Sequence, residues 1–276
     1  MSRLIVLLIF CSLNVFFLNS YSQGFRDLDS GKVSQSETGI DVKLFRGINN
    51  NRNGFSNTII PITDKSVLPV SIVLPLGLAG VSRYNKNYYD ENSAVLMMLS
   101  EATGLGITAG LKQLAKRDRP FVSLKDVYYR KDNSPTDRYS FPSGHTTTAF
   151  SIATSLTLRY PDKPAVIAVS YLYATVIGYG RIYLGVHYPS DVFAGMLIGS
   201  GSAALVYAFR KEIIDFKNNL FNEENRPDRN ASNMSAGAIL GVTIGADVVN
   251  MLINSFVSKN VTITSNGNTL NASIQF

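Results

Sequence analysis

The stretch AVIAVSYLYATVIGYG (165–180), RIYLGVHYPSD (181–191), VFAGMLIGSGSAALVYAF (192–209) places a short polar motif between two apolar runs. Both runs are long enough for a helix and contain neither lysine nor arginine, and 194–209 carries no charge at all. A soluble helix normally keeps charged residues on its outer face. The stretch therefore predicts two membrane helices joined by a polar turn that holds a histidine and an aspartate.

Three more apolar runs without lysine or arginine occur, at 67–81, 94–111 and 147–158. Charged residues make up only 17% of the chain, which is low for a soluble protein. Two glycine pairs, Gly106/Gly110 and Gly195/Gly199, have the four-residue spacing that lets membrane helices approach closely. We predict an all-α helical bundle embedded in a membrane, with residues 66–209 as its core. A soluble bundle is the alternative.

The first 22 residues have the pattern of an export signal. Arg3 gives a positive start, Leu4 to Leu18 an apolar centre, and Ser20-Tyr21-Ser22 a small-x-small site. The apolar part is short for a membrane span, which needs roughly 20 residues. An uncleaved first transmembrane helix is the alternative. In both cases residue 23 lies outside the cytoplasm.

Polar segments lie on both sides of the predicted core. Residues 23–65 are rich in Ser, Asn and Gly and contain one amphipathic piece, Ile40 to Ile48, with helical spacing. Residues 210–276 form a C-terminal extension without an assigned role. It contains an apolar run (236–257) and an alternating tail that predicts a small β-hairpin around Asn266-Gly267. Cys11 is the single cysteine, so an intramolecular disulfide is impossible.

Both histidines of the chain lie in short motifs next to apolar runs. Pro142-Ser143-Gly144-His145 opens the run at 147–158, where free backbone N–H groups and the positive end of a helix dipole favour an anion. Ser143 can donate a hydroxyl to that anion or act only as the helix N-cap. Gly144 allows close backbone approach, and His145 can protonate a leaving oxygen.

The second histidine, His187, lies four residues before Asp191 at a helix start. A carboxylate on one ring nitrogen fixes the tautomer and leaves the other nitrogen free to attack. Arg181 precedes this pair, and Lys112 with Arg119 follows the run at 94–111. Arginine suits bidentate phosphate binding, and lysine adds a compact charge. We therefore predict one phosphate site, formed by three motifs: Lys-x6-Arg-Pro, Pro-Ser-Gly-His and Arg-x5-His-x3-Asp.

These three motifs resemble the signature of the type 2 phosphatidic acid phosphatase family, which shares its site with bacterial acid phosphatases and vanadium haloperoxidases. The resemblance covers roughly Asp41 to Phe209 and is highly specific. One departure is Gly180, where the family usually has serine. The resemblance implies that His187 is the nucleophile, oriented by Asp191, and that His145 is the acid and base. It implies phosphate binding by the residues Lys112, Arg119, Ser143, Gly144 and Arg181.

The resemblance also implies a reaction without metal or cofactor, on a phosphorylated lipid. The net charge of +6 suits an anionic partner, although it could serve solubility alone. Candidate substrates are lipid A, phosphatidic acid, phosphatidylglycerol phosphate and undecaprenyl pyrophosphate, with lipid A preferred. Counting crossings from the export signal places all three motifs on the periplasmic side of a bacterial inner membrane.

The sequence leaves other functions open. The main alternative is a soluble periplasmic non-specific acid phosphatase, and a haloperoxidase or a non-catalytic scaffold are further ones. No nucleic-acid-binding motif occurs, and nothing indicates an obligatory protein partner.

Overall fold

The computed structural model describes residues 39–131, 135, 137–223 and 228, together with the backbone of two strands. The export signal, most of the polar segment before the first helix and the apolar run at 236–257 lie outside the described residues. The helices are α1 Ile40–Asn49, α2 Gly54–Tyr84, α3 Tyr88–Ala115, α4 Pro120–Ser123, α5 Gly144–Arg159, α6 Pro164–Tyr183, α7 Pro189–Ala208 and α8 Arg210–Leu220. The strands are β1 Val261–Asn266 and β2 Thr269–Ile274.

Four of the five apolar runs predicted for the core lie within one long helix each, and the fifth, 192–209, ends one residue beyond α7. The all-α prediction for the core is therefore confirmed. The helices begin where the sequence offers caps. Asn53, at the start of α2, accepts the backbone N–H of Ser56 at 2.8 Å through its side chain. Helices α6 and α7 begin with a proline, which has no N–H to leave unsatisfied in a first turn.

Helix α5 lies at the centre of the bundle and packs against α3, α6 and α7. Small residues make this packing close. A Cβ atom on Gly195 of α7 would lie 2.7 Å from the carbonyl oxygen of Ser143, and one on Gly199 would overlap the backbone of Thr147. The predicted close approach at this glycine pair is therefore confirmed.

The same prediction is wrong for Gly106 and Gly110. A Cβ atom at either position would meet none of the described residues within 4 Å, because both glycines face away from the neighbouring described helices. Gly104 takes that role in α3 instead, since its Cβ would lie 2.9 Å from side-chain atoms of Ser202 and Thr147. Spacing alone could not show which of the glycines faces the bundle.

Within the described residues, four helical segments are long and apolar enough to cross a membrane: Gly54–Tyr84, Tyr88–Ser123, Pro164–Tyr183 and Pro189–Ala208. Helix α5 has 16 residues and is not among these four. Its side chains are mostly buried, which fits its place inside the bundle.

The N-terminal and C-terminal segments extend this core. Helix α2 begins at Gly54 and so crosses the predicted boundary between residues 65 and 66; the division into segments otherwise remains a prediction. The predicted amphipathic helix is present as α1, and its residues Val42 and Phe45 pack against Tyr188. The predicted hairpin is also present, with β1 and β2 antiparallel and Val261 opposite Ile274.

Candidate active site

One end of the bundle carries a cavity of about 110 Å³ between the end of α3, the start of α5 and the end of α6. The candidate residues lie in three motifs that are separate along the sequence, and the fold brings most of them to this cavity. Its lining includes six of the eight predicted site residues, namely Lys112, Arg119, Gly144, His145, Arg181 and His187. The other two, Ser143 and Asp191, lie immediately behind it and are fully buried.

A backbone hydrogen bond ties the second motif to the third. The N–H of Ser143 donates to the carbonyl oxygen of Asp191 at 3.0 Å. The Ser143 hydroxyl oxygen accepts the hydroxyl of Thr146 at 2.9 Å and its N–H at 3.5 Å, as an N-cap does. In this structure Ser143 therefore caps α5, and its contact to phosphate remains a prediction. The N-terminus of α5 opens towards the cavity through Gly144 and His145.

The contacts of His187 define its tautomer. Arg119 lies 3.1 Å from Nε2 through its Nη1 atom. A guanidinium can only donate, so Nε2 accepts and the proton is on Nδ1. Nδ1 faces Oδ2 of Asp191 at 3.5 Å, longer than a hydrogen bond, and has no other partner among the described residues. Catalytic hydrogen bonds are often this long before substrate binds.

Electrostatics keeps the His187 ring neutral. Burial lowers the pKa of His187 well below its ordinary value, and the nearby cations Arg119, Arg181 and Lys112 lower it further. A neutral ring with a lone pair on Nε2 is the form that a nucleophile requires. The same cations that would bind phosphate thus hold the histidine in its reactive protonation state.

Asp137 occupies the cation cluster in the free site. Its Oδ2 lies 3.1 Å from the Lys112 amine, and its Oδ1 bonds the Arg119 guanidinium. Burial raises the pKa of Asp137, but Arg119 and Lys112 outweigh burial and hold that pKa below its usual range. The carboxylate is therefore ionised, and it neutralises two of the cations that the sequence assigned to phosphate.

Asp64 of α2 pairs with the third cation. Arg181 Nη1 donates to both Asp64 oxygens, at 2.7 and 2.9 Å, with both side chains buried. Next to it, the departure at Gly180 has a packing reason: a Cβ there would lie 3.0 Å from Ile60 of α2. Helix α2 thus both supports Arg181 and approaches α6 closely.

Four charged residues around the site were not predicted from the sequence: Asp41, Asp64, Arg117 and Asp137. Arg117 lies inside the Lys-x6-Arg motif, and Asp137 lies eight residues before His145, so both were near a signal. Asp41 and Asp64 lie far from the motifs along the chain. Asp41 is distinguished only as the single acid of the amphipathic helix, and Asp64 only as the single acid just before an apolar run.

The opposite wall of the cavity is apolar. This wall is formed by Val67, Leu68 and Ile72 of α2 and by Leu105 of α3. Leu68 is also 46% exposed on the outer surface of the bundle, so this wall continues to the side that would face lipid. The cavity thus combines a cationic end with an apolar approach.

A larger cavity of about 400 Å³ lies away from these residues, between α2, α3 and α8, and is lined mainly by apolar side chains. Within the described residues, no group of three or more His, Cys, Asp or Glu side chains could hold a metal ion.

Comparisons with known proteins agree with this geometry. The family model of the PAP2 superfamily matches residues 93–215. An undecaprenyl-diphosphatase from Sulfolobus acidocaldarius is 27% identical over 179 residues, which cover 60% of this chain and 76% of that protein. A non-specific acid phosphatase from Salmonella typhi is 30% identical over 160 residues, which cover 54% of this chain and 63% of that protein.

A solved structure is also similar. The crystal structure of LpxE from Aquifex aeolicus matches with a TM-score of 0.52 and 32% identity, covering 62% of this chain and 97% of that chain. The match therefore includes nearly the whole of that protein and leaves part of this chain unmatched.

Proposed function

The chain belongs to the PAP2 superfamily of phosphatases, and from that premise we propose that it hydrolyses a lipid phosphate ester or pyrophosphate through a phosphohistidine on His187. The observation that carries the proposal is the composition of one cavity. Three cations and a neutral histidine face a space bordered by apolar side chains that continue to the outer surface. A phosphate group attached to an alkyl chain matches both ends of that space.

In the first step, the substrate phosphate replaces Asp137 at Lys112 and Arg119 and contacts Arg181 and the Gly144 amide. Fixed cations and N–H groups stabilise the charge that spreads over the phosphoryl oxygens in the transition state. Movement of Arg119 onto the phosphate frees Nε2 of His187. A bond forms between Nε2 and phosphorus, and the bond from phosphorus to the leaving oxygen breaks.

His145 completes the chemistry. Burial and the nearby Arg181 lower the pKa of His145 to about 4 in the free site, so the ring takes up a proton when the phosphate dianion binds beside it. His145 then donates that proton to the leaving oxygen, so the lipid departs as an alcohol, or as a phosphate if the substrate is a pyrophosphate. It then accepts a proton from water, whose oxygen attacks phosphorus while the bond from phosphorus to His187 breaks. Inorganic phosphate leaves, and both histidines return to their starting states. Asp191 stabilises the charge that His187 carries in the intermediate.

The proposed location is a bacterial inner membrane, with the cavity open to the periplasm. The part of the chain that the structure describes has four helical segments long and apolar enough to span a membrane, which supports a membrane protein. The export-type N-terminus supports the orientation, since the two helices α2 and α3 lie between residue 23 and Lys112, and Arg181 lines the same cavity as Lys112. Among the candidate substrates, lipid A remains preferred, ahead of phosphatidic acid, phosphatidylglycerol phosphate and undecaprenyl pyrophosphate.

The test compares purified wild type with His187→Ala in detergent micelles, with phosphatidic acid and lipid A as substrates. We expect phosphate release by the wild type with or without a metal chelator and none by His187→Ala. Brief reaction with radiolabelled substrate should leave an acid-labile, base-stable label on the wild type alone. Full activity of His187→Ala would remove the mechanism.

A separate measurement tests the lipid assignment. If osmotic shock without detergent releases the activity from cells, and only soluble phosphate esters are cleaved, the protein is a periplasmic acid phosphatase instead.

A further inference from the structure

A chain of charged contacts continues behind the two catalytic side chains, away from the cavity. Asp191 is fully buried, and its Oδ2 accepts the N–H of Tyr188 at 2.8 Å and faces His187. Its Oδ1 accepts from Arg117 Nη1 at 2.8 Å. One carboxylate oxygen is thus directed to the histidine while a guanidinium holds the other.

Arg117 is itself held in place. Its Nη2 donates to Oδ2 of Asp41 at 2.6 Å, and its Nη1 also donates to the Ser190 hydroxyl at 2.7 Å. The guanidinium carbon lies 3.9 Å from the centre of the Tyr188 ring, in cation–π contact. Contacts on three sides give this arginine one geometry.

Asp41 belongs to the first turn of α1 and binds the start of α7. Its Oδ1 accepts the backbone N–H of Ser190 at 3.0 Å, and its Oδ2 accepts the Ser190 hydroxyl at 2.6 Å. Burial raises the pKa of Asp41, but hydrogen bonds from Ser190 and Arg117 outweigh burial and lower that pKa, so the group is ionised. Asp41 lies outside residues 93–215, which match the family.

We propose that Asp41 and Arg117 form a positioning pair, which fixes the orientation of Asp191 and through it the reactive tautomer of His187. The pair rests on the proposed function, since it acts on the proposed nucleophile. Neither side chain lines the cavity, so neither contacts the phosphate. The pair therefore acts on the chemical steps and not on substrate binding.

The physical reason lies in the position of Asp191. A buried carboxylate needs a fixed cation or hydrogen-bond donors to remain ionised and in one rotamer. Arg117 supplies both the cation and a hydrogen-bond donor, on the side of Asp191 opposite His187. When the bond to phosphorus forms, His187 becomes positively charged, and a correctly oriented carboxylate at Nδ1 stabilises that charge. If Arg117 is lost, Asp191 can rotate or bind a proton, and that stabilisation weakens.

The test uses Arg117→Met, Arg117→Lys, Asp41→Asn and the double variant, with Asp118→Asn as matched control. Asp118 is an exposed acid next to Arg117 and forms none of these contacts. We expect kcat of Arg117→Met to fall roughly 10- to 100-fold with KM unchanged, as when a partner that orients a reactive ligand is removed. Arg117→Lys should restore part of this loss. Asp41→Asn should lower kcat less, and should add nothing in the Arg117→Met background.

A spectroscopic readout tests the pair without turnover. The chain has two histidines, so ¹⁵N-histidine spectra contain two rings, and His187→Ala assigns them. With inorganic phosphate bound, we expect the contact between His187 and Asp191 to tighten and give a downfield Nδ1–H resonance in wild type and Asp118→Asn. Arg117→Met should lose this resonance or show it in rapid exchange. A purely structural role would change the melting temperature and leave this resonance intact in the folded fraction.

The outcomes separate the two proposals. If His187→Ala is inactive but Arg117→Met keeps the wild-type kcat and Nδ1–H resonance, the positioning pair is refuted and the proposed function stands. If His187→Ala is fully active, the proposed function fails. In that case the resonance in the Arg117 and Asp41 variants still shows whether the pair sets the tautomer.

Discussion

Gly195 offers a direct test of how closely the two catalytic motifs must be held. Gly195→Ala adds one methyl group on α7, and its Cβ would lie 2.7 Å from the carbonyl oxygen of Ser143 and 3.0 Å from the Cβ of Thr146. Ordinary van der Waals contact begins at 3.4 Å, so the backbone of Ser143 and α7 must separate by about 0.7 Å (3.4 − 2.7).

This displacement falls between the second and third motifs. The Ser143 N–H donates to the carbonyl of Asp191, so the start of α5 would move relative to the start of α7 and to His187. A misplacement of about 1 Å can cost roughly 100-fold in rate. For about 0.7 Å we expect a loss in kcat on the order of 10-fold or more. Overpacking of this kind also lowers the free energy of unfolding by about 1–3 kcal/mol.

Gly201→Ala is the matched control, because it adds the same methyl group to the same helix where nothing lies within 4 Å. We expect it to retain full activity and to be unchanged or up to about 1 kcal/mol more stable, since alanine favours helix over glycine. Initial rates of phosphate release and thermal unfolding are measured for both variants in one detergent. If Gly195→Ala matches Gly201→Ala in both, the close contact between α5 and α7 does not position the site.

Three further predictions concern individual groups of the site. Asp137→Asn should lower KM and the inhibition constant of inorganic phosphate roughly tenfold, because Lys112 and Arg119 lose the carboxylate that competes with phosphate. A hydrogen bond to a charged group contributes about 1.5–3 kcal/mol. Inhibition assays measure the constant, and a raised value would show that Asp137 assists phosphate binding. His145→Ala should leave a slow enzyme that accumulates labelled phosphohistidine, and normal turnover would instead make His145 structural. The ordinary pKa of a histidine is 6.5, and the pKa of His187 in the folded protein lies well below it. Just below pH 6.5, the His187 ring therefore binds a proton only in the unfolded chain. The free energy of unfolding of the phosphate-free protein should therefore fall as pH decreases below about 6.5, with a smaller slope in His187→Gln; equal slopes for the two proteins in denaturant titrations would contradict the lowered pKa.

Much of the fold could be predicted because its signals are local. Apolar runs without lysine or arginine identify the long helices, and the prolines that open α6 and α7 mark where these two helices begin. The start of α2 at Gly54, well before its apolar run, was not predicted. The position of each motif at a helix end then brings the three motifs to one end of the bundle. Two histidines in a chain of 276 residues made the candidate site easy to find.

The partners of the cations could not be predicted in this way. Asp64 and Arg181 are 117 residues apart, and Asp41 and Arg117 are 76 apart. Both acids lie on helices that pack beside the site only after the bundle has formed. Asp137 lies in a loop without periodicity, where local sequence gives no direction to the side chain.

Local sequence predicts the long helices and the residue types that gather at one end of the bundle, because hydrophobic periodicity and capping act over a few residues. Three features could be seen only in the folded chain: Gly104 faces the bundle while Gly106 and Gly110 do not, Asp137 neutralises the free site, and Asp41 supports Arg117. These outcomes depend on helix rotation and on contacts between distant segments. Both are set by packing of the whole bundle.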